Sequence, residues 1–490
     1  MRIWIRIALL IVLFYGTVRV AIAQKTPTYS AETRQHIRDV VAGLTPTVAV
    51  KDDPHSVHTL SERMEMWHVP GVSIAVIHHG AIEWAQGFGL VSMGGAPVNA
   101  ETLFQAGSIS KPLAAMATLR LVQQGKLSLD ADVNTELTSW KLPDAPVAAG
   151  KFVTLRELLT HTGGTTVHGF PGYAADTAVP TLLQVLNGEK PANTAAIRIE
   201  AQPGSKWNYS GGGYTIVQQL VVDVTKEPFP KVLRDTVLAP IGMKHSTYEQ
   251  PLPVDGRARA ATPYEGNGTA VAGGAHTYPE MAAAGLWTTP SDLCLYELEV
   301  ERSLKGKANH VLSQAMTKEM LTAGMGKWGL GLQIGGADSN PYFGHGGVNA
   351  GFESVMEAYE NDGEGAVVMT NAQGGSRLAD EVIRSIAKVY HWPDFQPKVR
   401  TTVKVEEKIL DTYAGTYELR PNFDLVVTVK DGQLITQATG QDSVPLLAES
   451  ETKFFPTLFD AQIVFIKDGQ GKVTSLVLRQ GGQEIKGLRK

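Results

Sequence analysis

The chain has 490 residues, enough for two or three domains and a large core, and with 43% hydrophobic and 19% charged residues it reads as globular, not disordered. A formal net charge of −5 argues against a nucleic-acid partner. The single cysteine, Cys294, excludes an internal disulfide. It lies in an amphipathic pattern after Pro290, where a buried inert thiol is expected and thiol catalysis is not.

In chain order, Arg2 and Arg6, an apolar run over residues 7–15 and Ala21-Ile22-Ala23 before Gln24 predict a signal peptide cut after Ala23. The run is short for a membrane span, although an uncleaved anchor is the alternative. A periplasmic or secreted mature chain is the expectation. Residues 24–60 read as a polar lead-in and a first helix. Residues 71–77 form a β-rich run, His78-His79-Gly80 turns it, and residues 81–87 return as a hairpin. Neighbours on a strand point to opposite faces, so the paired histidines read as turn residues and not as metal ligands.

Residues 110–124 carry strong helix formers, with Pro112 near the start and Gly125 at the stop. Thr154-Leu155-Arg156-Glu157 is a capping-box pattern before Leu158-Leu159. Residues 165–200 read as irregular, and 214–224 and 230–238 as helices. Residues 251–285 are rich in Gly, Ala and Pro and short on periodicity, as loops lining active sites often are. From residue 328 the period turns towards two, predicting strands at 328–335, 341–344, 352–360 and 365–371, then a helix over 376–390. A sheet built from both ends of this region, with helices inserted between, is the economical arrangement. Residues 393–407 read as a linker. Residues 408–490 show no helical pattern and predict a small antiparallel barrel of roughly eight strands.

The chemistry centres on Ser108 and Lys111. The Ser-x-x-Lys spacing recurs at Ser385/Lys388 and Ser450/Lys453, so spacing alone is weak. At the first turn of a helix, however, the two side chains share a face. A serine hydroxyl needs a base to take its proton, and a lysine amine whose pKa is lowered by burial can serve. Two glycine-rich segments follow, Asn208-Tyr209-Ser210-Gly211-Gly212-Gly213-Tyr214 and Phe343-Gly344-His345-Gly346-Gly347-Val348-Asn349. No His-Glu-x-x-His pattern or Cys/His cluster offers a zinc site, and no Gly-x-Ser-x-Gly elbow occurs. No metal or cofactor is expected.

Taken in order, these three segments resemble the penicillin-recognising serine hydrolases, which include class C β-lactamases, DD-peptidases, family VIII esterases and D-aminopeptidases. The resemblance covers about residues 55–390. It extends to Val69-Pro70-Gly71-Val72-Ser73, Leu158-Leu159-Thr160-His161-Thr162-Gly163-Gly164, Gln202-Pro203-Gly204 and Pro240-Ile241-Gly242-Met243. It implies an α/β (α+β) fold, an antiparallel sheet flanked by helices with an inserted helical region. It further implies Ser108 as nucleophile and Lys111 and Tyr209 as proton carriers, with the base left open between them. His345, Gly346 and Gly347 would form a substrate-binding third motif, and the N–H groups of Ser108 and Val348 an oxyanion hole.

Two departures stand out. Gly211 replaces an asparagine, and His345 replaces a lysine that would hold a substrate carboxylate. Both weaken the case for β-lactams and D-Ala-D-Ala peptides and leave acyl transfer intact. Tyr209 as a core aromatic and His345 as a structural residue stay open, and His161 reads as a structural hydrogen-bonder. Through Leu410-Asp411-Thr412-Tyr413-Ala414-Gly415-Thr416-Tyr417, Asp431-Gly432-Gln433-Leu434, and Phe454-Phe455 with Ile463-Val464-Phe465, the tail resembles a lipocalin-like domain, which implies a role in shaping the cleft, joining subunits or binding a ligand. The expected organisation is a hydrolase domain over residues 24–392, the linker, and a barrel over 408–490. The expected function is an exported serine hydrolase acting on a small amide or ester: a β-lactam, a D-amino-acid peptide or a carboxylic ester. Its partner would be a small molecule or short peptide, with no stable membrane span after processing. A non-catalytic penicillin-binding-type sensor that retains the fold is the alternative.

Overall fold

The computed structural model describes residues 28–307 and 309–490. The expected signal peptide, with its cut after Ala23, lies outside the described residues. Among the described residues no helix is long and apolar enough to cross a membrane.

The larger unit is organised by a six-stranded sheet: β1 (Gly71–His78), β2 (Ala81–Gly89), β3 (Gln333–Ala337), β4 (Asn340–Asn349), β5 (Phe352–Tyr359) and β6 (Gly365–Thr370). The order is β2-β1-β6-β5-β4-β3 and every pairing is antiparallel. The central strands are buried on both faces. Ala75, Ile77, Val367 and Met369 pack into the core shared with the inserted helices. Val72, Ile74, Val76, Ala366 and Val368 pack beneath the helices Ala31–Ala42 and Gly375–Val389. The two-residue alternation thus sends successive apolar side chains into different cores. That explains why β1 reads as a β-rich run with apolar residues on both faces.

The β1–β2 hairpin is the one expected, but its turn is narrowed to His79 and Gly80, because His78 still pairs with Ala81. His79 and Gly80 both have positive φ, 53° and 75°, the geometry of a type I′ turn. The helices expected at 110–124 and 376–390 appear as Ser110–Gln123 and Gly375–Val389. Thr154 and Glu157 form the capping box, and Cys294 lies buried in the helix Pro290–Leu304.

Three expectations are corrected. The strand expected from residue 328 begins at Gln333. Gly331 (φ 101°) brings the preceding segment so close to the Ser110–Gln123 helix that an added Cβ would meet Ala115 at 2.6 Å. The strand expected at 341–344 runs on to Asn349, because its glycines let it lie flat against the Ser108 turn. The tail holds a helix, Glu407–Tyr413, where none was expected; its Leu410 and Tyr413 are buried against the barrel.

That barrel is closed by eight antiparallel strands, β7 (Gly415–Arg420), β8 (Phe423–Lys430), β9 (Gln433–Ala438), β10 (Ser443–Ala448), β11 (Lys453–Phe455), β12 (Ala461–Lys467), β13 (Val473–Gln480) and β14 (Gln483–Arg489). β7 pairs with both β8 and β14, so no edge is left open. Tyr413 stacks on Phe465 at 4.3 Å, with Phe454 and Tyr417 beside them, so aromatic side chains fill the interior. The connecting segment is itself ordered. Lys398–Arg400 pairs in parallel with Val48–Val50, and Arg400 bridges to Glu449 and Asp460 of the barrel unit.

Candidate active site

Ser108 sits in a tight 3₁₀ turn, Gly107–Ile109, that runs into the Ser110–Gln123 helix. One helical turn on, the Lys111 ammonium nitrogen donates to Ser108 Oγ at 2.9 Å and to the Ala283 carbonyl at 2.8 Å. The helix is buried along most of its length, and Lys111 is only 2% exposed. Burial disfavours the charged amine and brings its pKa down to about 7.

Tyr209 interacts with the same serine. Burial raises its pKa, while a hydrogen bond to Ser108 acts against that rise. Lys111 Nζ also lies 5.0 Å from the centre of the Tyr209 ring. Several partners hold this tyrosine in place. The next residue, Ser210, caps the helix Gly211–Thr225 by accepting from Gly213 N at 2.9 Å. The Ser210 N–H donates to His161 Nδ1 at 3.1 Å, and His168 hydrogen-bonds the Tyr209 carbonyl. His161 is deeply buried, and burial with Lys111 nearby pushes its pKa well below the usual value. Its imidazole is therefore neutral and free to accept, the structural role read from its phrase.

His345 lies on β4, also buried. Its Nδ1 pairs with the Gly346 carbonyl, so that nitrogen carries the hydrogen and Nε2 keeps the lone pair. Nε2 is buried without a partner. Burial, with Lys111 adding to it, lowers the pKa to about 3. At neutral pH this position therefore supplies an acceptor and no positive charge.

Two glycines bring β4 against the serine turn. At Gly107 (φ 52°) an added Cβ would stand 2.5 Å from Val348 N, and at Gly347 it would stand 1.9 Å from the Ala106 carbonyl oxygen. Only backbone fits between them. The amides of Ser108 and Val348 are thereby neighbours at one edge of the cleft. Gly346 and Val348 face outward and Gly347 inward, the alternation of a strand. The expected residues Ser108, Lys111, Tyr209, His345, Gly346, Gly347 and Val348 are thus brought together.

Others were missed. Asn349 Nδ2 donates to Gln105 Oε1 at 2.9 Å and to Ala284 O at 3.0 Å, tying β4 to the segment that receives Lys111. Trp328 meets the rings of His161, Tyr209, His345 and Trp207 at 5.1–5.9 Å. The ring of Phe170 lies 2.8 Å from where a Cβ on Gly211 would be. It takes the space that a side chain in place of Gly211, such as the asparagine the resemblance implies, would occupy. The departures at Gly211 and His345 therefore go with a cluster of aromatic rings and a neutral imidazole.

Residues 57–391 match the Beta-lactamase family model, and residues 399–489 match a domain of unknown function, DUF3471. The chain belongs to the β-lactamase family, within the penicillin-recognising serine hydrolase superfamily. It is 28% identical over 316 residues to the putative penicillin-binding protein PbpX of Bacillus subtilis (strain 168), covering 62% of this chain and 71% of that one. To the esterase EstB of Burkholderia gladioli it is 29% identical over 297 residues, covering 53% and 74%. Among solved structures, the octameric penicillin-binding protein homologue from Pyrococcus abyssi has a TM-score of 0.60 at 22% identity, covering 87% of this chain and 98% of that one. A D-amino acid amidase from Ochrobactrum anthropi has a TM-score of 0.54 at 20% identity, covering 74% and 99%. The structural likenesses establish fold.

Proposed function

We propose that this protein is an exported serine hydrolase that forms an acyl-enzyme on Ser108 and hydrolyses a small amide or ester. One observation carries the reading: Ser108 Oγ accepts a hydrogen bond at 2.9 Å from a buried lysine whose pKa is about 7. At pH 7 roughly half of the Lys111 amines are neutral and able to accept a proton. Tyr209, with its pKa raised, acts as a donor and relay, not as a standing anion. In the proposed cycle Lys111 takes the Ser108 proton and Oγ attacks the carbonyl carbon. The N–H groups of Ser108 and Val348 hold the developing oxyanion. Tyr209 passes a proton to the leaving group, and water then releases the acyl group with the roles reversed.

The neutral His345 supports substrates without a carboxylate anchor. Its free Nε2 suits a substrate hydroxyl or N–H. The basic start and apolar run before Ala23 support export, and residues 24–392 are assigned to catalysis with residues 408–490 as a separate barrel. Purified protein lacking residues 1–23 is to be assayed with nitrocefin, p-nitrophenyl butyrate and D-alanyl p-nitroanilide. Ser108→Ala is expected to abolish both turnover and labelling by a fluorophosphonate, and persistence of either rejects the reading. Phe170 standing over Gly211 favours a second reading, a ligand sensor without turnover. That reading predicts no mass adduct on Ser108 after exposure to penicillin or ester.

A further inference from the structure

The turn between β1 and β2 does more than reverse the chain. His79 is left-handed there, which folds its side chain back beside that of His78, with ring centroids 3.7 Å apart. The strand rule that would separate two neighbouring histidines therefore fails at this point. Both imidazoles meet Glu364, at the start of the strand paired to β1. His78 Nδ1 is 2.8 Å and His79 Nδ1 3.8 Å from Glu364 Oε1. Nitrogen and oxygen donors from all three residues lie within 4.8 Å of one another. A tetrahedral zinc ion with bonds of about 2.1 Å needs donors roughly 3.4 Å apart, a separation that the two observed distances bracket.

The surroundings hold this set in place. Trp392 Nε1 donates to Glu364 Oε2 at 3.2 Å, and the His79 backbone N–H donates to Oε1 at 3.2 Å. The Tyr390 ring packs 4.9 Å from that of His78. Partners of this kind fix the orientation of metal ligands. The Glu364 side chain is 12% exposed and that of His79 is 81% exposed, so one ligand is fixed and another can adjust. His36 stands aside, paired with Glu83 at 3.0 Å.

We propose that His78, His79 and Glu364 bind one divalent transition-metal ion at this outer corner of the sheet. Two imidazoles and one carboxylate form a donor set suited to zinc, with a fourth position left for water. The ion would clip the β1–β2 hairpin to the turn that enters β6. It is separate from hydrolysis. His78 lies six residues beyond Val72, which is level with Val348 three strands away, and strand geometry makes that roughly 25 Å.

The test uses the full mature protein with any affinity tag removed and metal stripped by a chelator. Zinc is titrated by calorimetry, and thermal unfolding is followed with and without zinc. One ion per chain and a rise in Tm of several degrees are expected. His79→Ala is expected to weaken binding by about tenfold or more and to cancel the rise, leaving hydrolase turnover unchanged. Glu364→Gln is a second variant, and where it fails to fold the exposed His79 decides alone. Absence of saturable binding, or binding in His79→Ala equal to that of the parent, overturns the proposal.

Discussion

Replacing Lys111 by methionine is expected to end catalysis and to make the protein more stable. The amine is buried, and its pKa falls from 10.5 to about 7 for that reason alone. In the unfolded chain at pH 7 the same amine is solvated and charged. Losing that state on folding corresponds to roughly 5 kcal/mol. Methionine fills a similar volume with no charge to desolvate. It forfeits the hydrogen bonds to Ser108 Oγ and Ala283 O, each worth about 1 kcal/mol, and leaves the Ala283 carbonyl without that donor. The balance is a gain of roughly 2–3 kcal/mol at pH 7. Its pH dependence is the sharper check. Between pH 7 and 10.5 the unfolded state binds more protons than the folded one, so the parent gains stability as pH rises through that window. The advantage of Lys111→Met should therefore shrink by about 1.4 kcal/mol per pH unit, vanish at about pH 9 and reverse towards the upper limit, where only the forfeited hydrogen bonds remain. Denaturant unfolding followed by tryptophan fluorescence at pH 7 and pH 10 reads this directly. A variant less stable at pH 7, or an advantage that does not change with pH, refutes the argument.

The same amine predicts that kcat/KM falls about tenfold for each pH unit below 7 and levels off above it, and a flat profile from pH 5 to 8 would remove Lys111 as base. Gly347→Ala is expected to push β4 off the Ala106 carbonyl and cut turnover by about 100-fold or more. Gly346→Ala, whose new Cβ would find nothing nearer than 3.9 Å, should melt as the parent does; equal turnover in Gly347→Ala and the parent would contradict the close approach. Gly211→Asn alone should lose about 1–3 kcal/mol in unfolding experiments, because its side chain collides with Phe170. Combined with Phe170→Ala it should fold normally and raise nitrocefin turnover above the parent's.

How much could be read beforehand follows from which features are local. Ser108 and Lys111 share a helix face through spacing alone, and β1 announces itself by a β-rich run. Thr154 and Glu157 state their capping box in four residues. Tyr209 and His345 came only through ordered resemblance, since nothing within their own segments points at Ser108. Phe170 could not be read, because its contact with Gly211 depends on the path of an irregular loop. The loss of charge at His345 follows from burial, which depends on the whole assembled cleft. The helix Glu407–Tyr413 is a single short element whose apolar face makes sense only against the barrel it packs on. His79 defied the strand rule because its own backbone had already left the strand.

The two units of this chain put opposite demands on folding. In the large sheet β1 pairs with β6, joining Val72 to Thr370 across nearly 300 residues. Until that distant strand arrives, Val72, Ile74 and Val76 have no lasting cover, and an unpaired apolar edge is prone to aggregate. Any fragment ending before residue 365 is expected to be insoluble, however intact its serine, lysine and tyrosine. The barrel is built almost wholly from neighbouring strands, and such local pairings form quickly. The barrel is thus suited to fold early, while the large sheet waits for a strand nearly 300 residues away.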